Sequence, residues 1–280
     1  MERSIIENAE LIIFDFDGTL YEDTDHFVYY SEQLKEQLPE DVQPLFTKEY
    51  EKIVSGERVV TIGRVYDAVQ DYVLKLDPVQ STVTKAWTWD GKELEADLIQ
   101  KLYPQPLNFD SDSIIAISDG WWIPNVCAKH FGIQDTQSAY VQTKNFMATD
   151  QFHLTKITGL RDALIHLKEK KNIVLMTNSQ KENVHRILQN LDLQNIFEYI
   201  ITEANKPLNT RKHFLDLLQK FNIRPEKGLS IGDNYINDIA PAINIGMETV
   251  YIDLYDSEYT EYNGRKVKSI SELIIEMNSL

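Results

Sequence analysis

The stretch LIIFDFDGTL, residues 11–20, decides how this chain reads. Leu11, Ile12, Ile13 and Phe14 form a short continuous apolar run, the pattern of a strand covered on both faces in a parallel sheet. The run ends in Asp15 and Asp17, and Gly18 and Thr19 turn the chain away. In an open α/β sheet ligands bind at the carboxyl ends of the strands, so the two acids stand where ligands are held. Neighbouring carboxylates raise each other's pKa unless something positive lies between them. A divalent hard cation with oxygen ligands, Mg2+ first among them, meets that need.

Outward from this stretch, a strand-helix beat resumes at Gly159 and persists to the carboxyl end. Leu160, Ala163, Leu164 and Leu167 mark a helix face, and residues 173–176 a strand that runs into Thr177-Asn178-Ser179. Val184, Ile187, Leu188 and Leu191 mark a second helix, and residues 199–202 a strand. Phe214, Leu217, Leu218 and Phe221 mark a third helix, and residues 229–231 a strand ending in Gly232-Asp233. Ile236, Ile239, Ala240 and Ile243 mark a fourth helix stopped at Gly246, before a strand over residues 249–252. Such alternation predicts an α/β fold, a doubly wound parallel sheet with helices on both faces. A polar, acidic surface loop is expected over residues 255–262, then a final helix on Ile270, Leu273, Ile274 and Met277.

Between Leu20 and about residue 155 the beat is absent. Phe27, Tyr30, Leu34 and Leu38 recur at helical spacing up to Pro39, and Val59, Ile62, Val65, Tyr66, Val69, Val73 and Leu76 predict a longer helix ending before Pro78. TVTKAWTW, residues 82–89, reads as a strand, with Asp90-Gly91 a hairpin turn. Leu94, Leu98 and Leu102 fit either the return strand or a helix. Residues 114–118 read as a strand, and 124–131 as a helix capped by Gly132. NFDSDS, residues 108–113, lacks the glycine and closing glutamate of a calcium loop and reads as a turn. The tryptophans 87, 89, 121 and 122 read as packing residues. The expected organisation is a discontinuous core, residues 1–20 and 156–280, carrying an inserted, mainly helical domain over residues 21–155.

The totals narrow the function. A chain of 280 residues has room for two ordinary domains. The 42% hydrophobic and 26% charged fractions are those of a globular protein. A formal net charge of -16 argues against nucleic acid or an anionic membrane as the main partner, since both are held by basic patches. Cys127 is the only cysteine, so no intrachain disulfide forms, which fits a reducing, cytoplasmic setting. The amino-terminal MERSIIENAE is charged, and the apolar run behind it is too short for a signal or a membrane span.

Every carboxyl strand end in a parallel sheet faces one edge, so Asp15, Asp17, Thr177, Asn178 and Asp233 should rim one crevice. Thr177 supplies a hydroxyl, the backbone amides that open the following helix an anion site, and Lys206, ahead of Pro207, a point charge. Asp233 would complete an oxygen cage with the first strand, and Asp238 would brace it from behind. This inventory suits a phosphoryl group. Side chains of Asp15 and Asp233 more than about 10 Å apart would exclude a shared cation.

The segments FDFDGTL, LMTNS, ANKPLN and GDNYINDI, in this order, resemble the four motifs of the haloacid dehalogenase (HAD) superfamily. The resemblance covers about half the chain. It implies a HAD-like core in which Asp15 is a nucleophile that becomes an aspartyl phosphate and Asp17 is the acid/base. It further implies that Thr177 and Lys206, with Asn178 beside them, bind phosphate. By the same resemblance Asp233 ligates Mg2+ together with the Asp15 carboxylate and the Asp17 carbonyl. The insertion stands where members of the superfamily carry a cap, yet it is longer than such caps and interleaves strand segments, a departure from their mostly helical make-up.

A second acid two residues after the nucleophile favours phosphoryl transfer over dehalogenation, because an alkoxide is a poor leaving group and wants a proton in the transition state. Asp17 must then arrive protonated beside an ionised Asp15. The expected activity is a Mg2+-dependent phosphomonoester hydrolase, a phosphatase acting on a small phosphorylated metabolite. The alternatives are a phosphomutase with the same nucleophile and a weakly active regulatory protein built on a phosphate site. Substrate and oligomeric state are not legible.

Overall fold

The computed structural model describes residues 4–77, 81–110, 112–147, 149, 151–255, 257, 262 and 264–280. The chain divides into two compact units, one made of residues 1–23, 147–256 and 261–280, the other of residues 24–146 and 257–260. Among the described residues no helix is long and apolar enough to cross a membrane.

The first unit is built on a six-stranded parallel sheet. Its strand order is Arg265–Val267, Glu248–Ile252, Gly228–Gly232, Leu11–Phe14, Asn172–Met176, Tyr199–Ile201. Leu11–Phe14 is central because all four of its residues are buried, as the unbroken apolar run requires. From it the chain builds outward on both sides, so the switch in strand order falls beside this strand. The strand ends are aligned by register: Phe14 pairs with Leu175 on one side and with Ile231 on the other. Asp15 is therefore level with Met176 and Gly232, and Thr177 and Asp233 stand one step beyond.

One face of this sheet carries Leu11, Ile13, Val174 and Met176 against Phe214, Leu217 and Leu218 of helix Thr210–Phe221. The apolar spacing of Leu160, Ala163, Leu164 and Leu167 is likewise the buried stripe of helix Leu160–Lys168. The edge strand Arg265–Val267 is too short and too basic to show by alternation and is a gain of the structure over the sequence. Much of the acidic loop expected over residues 255–262 lies outside the described residues.

The second unit combines helices Asp25–Lys35, Gln43–Val54, Ala96–Leu102, Trp122–His130 and Gln137–Met147 with a four-stranded antiparallel sheet. The sheet runs in the order Val83–Thr88, Tyr72–Leu76, Val65–Asp67, Ile114–Ala116. Here the helix predicted over residues 59–76 is corrected to a hairpin. Asp67 Oδ1 accepts the backbone N–H groups of Val69 and Gln70 at 2.9 and 3.0 Å, closing a turn in which Asp71 takes a φ of 56°. The misleading signal has a physical source. Val65 and Leu74 bury into one apolar cluster while Tyr66 and Val73 bury into another on the opposite face. A strand apolar on both faces loses its two-residue alternation, and the remaining spacing mimics a helix. The tryptophans pack within this unit: Trp121 lies edge-on to Phe27 and Tyr140, and Trp89 stacks on His130 at 3.8 Å. In the turn at residues 108–113, Asp110 accepts the amides of Asp112, Ser113 and Ile114; Ser111 is outside the described residues.

Candidate active site

All the rim residues named from the sequence fall in the first unit. Asp15 continues the central strand, its N–H donating to Ile231 O at 2.9 Å. Gly18 turns the chain with a φ of 72°, and a Cβ there would lie 2.1 Å from Asp233 Oδ2. The turn thus needs glycine twice over, for its backbone angle and for the closeness of the Asp233 carboxylate.

Asp233 follows the strand Gly228–Gly232, and Asn234 caps the next turn by accepting Asn237 N–H at 2.9 Å. That turn, Tyr235–Ile239, is π-helical, and its wide loop folds Asp238 back over Gly232. Ligand oxygens of Asp15, Asp233 and Asp238 all lie within 4.8 Å of one another. The buried Lys206 sits between two of them, Nζ donating to Asp15 Oδ1 at 2.6 Å and to Asp238 Oδ1 at 2.7 Å.

The Lys206 loop is held from below. Asn178 donates to Lys206 O at 3.0 Å and accepts from Lys206 N at 2.7 Å, so its side chain is committed to placing the lysine. Thr177, buried, accepts Ser179 N–H on Oγ1 at 3.0 Å, which leaves the threonine O–H to donate to a ligand. The Asp17 carboxylate stands outside the acidic cluster: Tyr21 OH donates to its Oδ1, and Ser179 Oγ to its Oδ2 at 3.0 Å.

Burial drives the electrostatics. It pushes Asp15 above the usual carboxylate range, with Lys206 pulling it down and Asp17 adding to the rise. Burial likewise lifts Asp238 to about 7, opposed by Lys206 and reinforced by Asp15. For Lys206 burial favours the neutral amine, yet the two carboxylates outweigh it and hold the ammonium charged, above its ordinary value. One ammonium thus serves two acids, Asp15 and Asp238.

These residues fit a divalent cation. The donors are all oxygens, as hard cations require, and Asp238 Oδ2 is buried without a hydrogen-bond partner among the described residues. With all three carboxyls ionised the acids exceed the Lys206 charge by two, so a divalent ion would balance them and favour their ionised forms. No second cluster of this kind occurs among the described residues, and none of the histidines takes part.

Asp15, Asp17, Thr177, Asn178, Lys206 and Asp233, the residues expected on one rim, all belong to this neighbourhood. Asp238, expected behind them, faces Lys206. Tyr21 and Ser179 had no expected role. Their signal in the sequence is weak: a hydroxyl four residues past Asp17, and the third residue of Thr177-Asn178-Ser179.

Residues 124–252 match the family model of haloacid dehalogenase-like hydrolases. The chain is 29% identical over 133 residues to a glyceraldehyde 3-phosphate phosphatase of Pyrococcus furiosus, covering 44% of this chain and 54% of that protein. It is 32% identical over 106 residues to a glyceraldehyde 3-phosphate phosphatase of Pyrococcus abyssi, covering 35% and 43%. The chain therefore spans about half the length of the curated relatives it matches. A Bacillus subtilis protein described as a HAD-hydrolase, solved bound to magnesium, superposes with a TM-score of 0.53 at 14% identity, over 96% of this chain and 99% of that one. A Thermotoga maritima protein described as a beta-phosphoglucomutase gives 0.51 at 14% identity, over 97% and 99%. At such identities these two likenesses speak to the fold alone.

Proposed function

We propose that this chain, whose core belongs to the haloacid dehalogenase superfamily, is a Mg2+-dependent phosphatase acting on a small phosphate monoester through an aspartyl-phosphate intermediate. The single observation that carries the reading is the cluster of Asp15, Asp233 and Asp238 oxygens within 4.8 Å, with Lys206 Nζ 2.6 Å from Asp15. Relatives named glyceraldehyde 3-phosphate phosphatases support the substrate class.

In the first step an Asp15 carboxylate oxygen bonds to phosphorus as the bond from phosphorus to the substrate oxygen breaks. Asp17 gives its proton to that leaving oxygen. In the second step Asp17, now a carboxylate, takes a proton from the water that attacks the phosphoryl group, and Asp15 is released as carboxylate with free phosphate. Lys206 neutralises charge on the phosphoryl oxygens, and the Thr177 O–H donates to one of them. A Mg2+ held by Asp15 and Asp233, with the Asp17 carbonyl, would supply further positive charge to those oxygens and keep Asp15 ionised. Asp238 holds Lys206 in place.

The unit inserted after the first motif is the proposed cap, the source of substrate specificity. A reducing, cytoplasmic compartment suits a chain whose one cysteine, Cys127, is buried as a thiol. The test is phosphate release from p-nitrophenyl phosphate and glyceraldehyde 3-phosphate by the purified protein with Mg2+. Turnover that chelator and Asp15→Asn both abolish is the expected result; Asp15→Asn protein working at the wild-type rate overturns the reading.

A further inference from the structure

We propose that the hydroxyls of Tyr21 and Ser179 position the Asp17 carboxyl for proton transfer, an inference that rests on the proposed acid/base role of Asp17. Tyr21 OH donates to Asp17 Oδ1, and Ser179 Oγ donates to Asp17 Oδ2 at 3.0 Å. Both oxygens of the acid are therefore held, from two segments that are 158 residues apart in the chain (179 − 21).

Each holder is itself fixed. Tyr21 is fully buried, its ring edge-on to Phe16 at 5.5 Å, and its backbone bridges to that of Asp17. Ser179 N–H donates to Thr177 Oγ1 at 3.0 Å and Ser179 O accepts from Glu203 N at 3.1 Å. A phenylalanine would fill the Tyr21 pocket as well, so packing does not account for the hydroxyl. Its oxygen is aimed at a carboxylate.

The choice of hydroxyls matters chemically. One hydroxyl on each carboxylate oxygen fixes the plane of the group. A hydroxyl both donates and accepts. It can keep its contact with Asp17 before and after the proton leaves, donating to the carboxylate or accepting from the acid, whereas an ammonium or amide N–H only donates and favours the ionised form. Tyr21 and Ser179 thus act through Asp17 and touch no reacting atom.

The experiment is steady-state kinetics on the full chain with Mg2+ and two substrates of unequal leaving group. Glyceraldehyde 3-phosphate expels an alkoxide and needs the proton; p-nitrophenyl phosphate expels a stabilised phenolate and needs it little. Tyr21→Phe is expected to lower kcat about 30-fold on the alkyl phosphate and less than about 3-fold on the aryl phosphate, with KM within about 2-fold. Ser179→Ala should show the same pattern at about 5-fold, and Ser179→Thr, which keeps the hydroxyl, should restore it. In an Asp17→Asn background Tyr21→Phe should cost less than about 2-fold. Equal losses on both substrates, no loss on either, or a full loss persisting without Asp17 overturns the positioning role. Wild-type turnover that survives Asp15→Asn overturns the phosphatase reading, and the positioning role with it.

Discussion

The two units of this protein treat buried charge in opposite ways. In the inserted unit the buried and half-buried acids are answered. Asp67 accepts two backbone amides and, at 2.6 Å, the Tyr103 hydroxyl; Asp71 accepts Tyr66 OH at 2.8 Å and faces His130; Glu49 meets Lys52, Arg58 and Trp89 Nε1. In the core the oxygens of Asp15, Asp233 and Asp238 crowd within 4.8 Å of one another, a single lysine bonds Asp15 and Asp238, and one oxygen of Asp238 is left without a partner among the described residues. Satisfied polar groups stabilise a fold; unsatisfied ones of like charge persist where chemistry uses them.

The comparison breaks most readily at Asp15. Asp15→Asn should lower kcat/KM about 10⁴-fold or more, read as phosphate release; a loss of less than about 10-fold would show that the crowded acids do no chemistry. Lys206→Met should lower folding stability by about 3–5 kcal/mol in urea titrations, since it strands buried carboxylates. A change below about 1 kcal/mol would mean that the acids are solvated after all.

Proton linkage sharpens the contrast. A carboxyl whose pKa is raised by folding binds more protons in the native state, so stability falls as pH rises between its unfolded and folded values. For Asp238 that window runs from the ordinary value of 3.8 to about 7. In chelator, thermal stability should fall by about 2 kcal/mol from pH 5 to pH 7. Added Mg2+ should offset the fall, more at pH 7 than at pH 5, because it binds the ionised acids. A flat profile in chelator would remove the electrostatic picture of the core.

Gly18→Ala should cost about 2 kcal/mol, from a Cβ forced into left-handed backbone, and should weaken Mg2+ stabilisation because the methyl displaces Asp233. Tyr103→Phe, in the inserted unit, removes one hydrogen bond to the buried Asp67 and should cost about 1 kcal/mol, with kcat within about 2-fold of wild type. If Tyr103→Phe abolished turnover instead, the division between a charged working core and a satisfied insert would fail.

Much of the core was legible. The apolar runs at residues 11–14, 173–176, 199–202, 229–231 and 249–252 gave the strands within about one residue, because burial on both faces of a parallel sheet writes itself into composition. The helix stripes marked buried faces without fixing the starts of Lys181–Asn190 and Thr210–Phe221. The stripe over residues 236–243 falls on the π-helical turn Tyr235–Ile239 and the short helix Ala240–Ile243. The insert was less legible at residues 59–76, where the same two-sided burial in an antiparallel sheet produced helix-like spacing.

By itself, the sequence determined the alternating core, the strand ends that carry acids, and the set of groups able to meet there, since each is a local property of residue type and order. Only the tertiary structure decided which carboxylates share Lys206, that Asn178 turns its amide to the lysine loop, and that Tyr21 and Ser179 grip Asp17 from two sides. Those contacts depend on register across the sheet and on a π-helical turn at Tyr235–Ile239, and neither leaves a periodic trace in a chain read one residue after another.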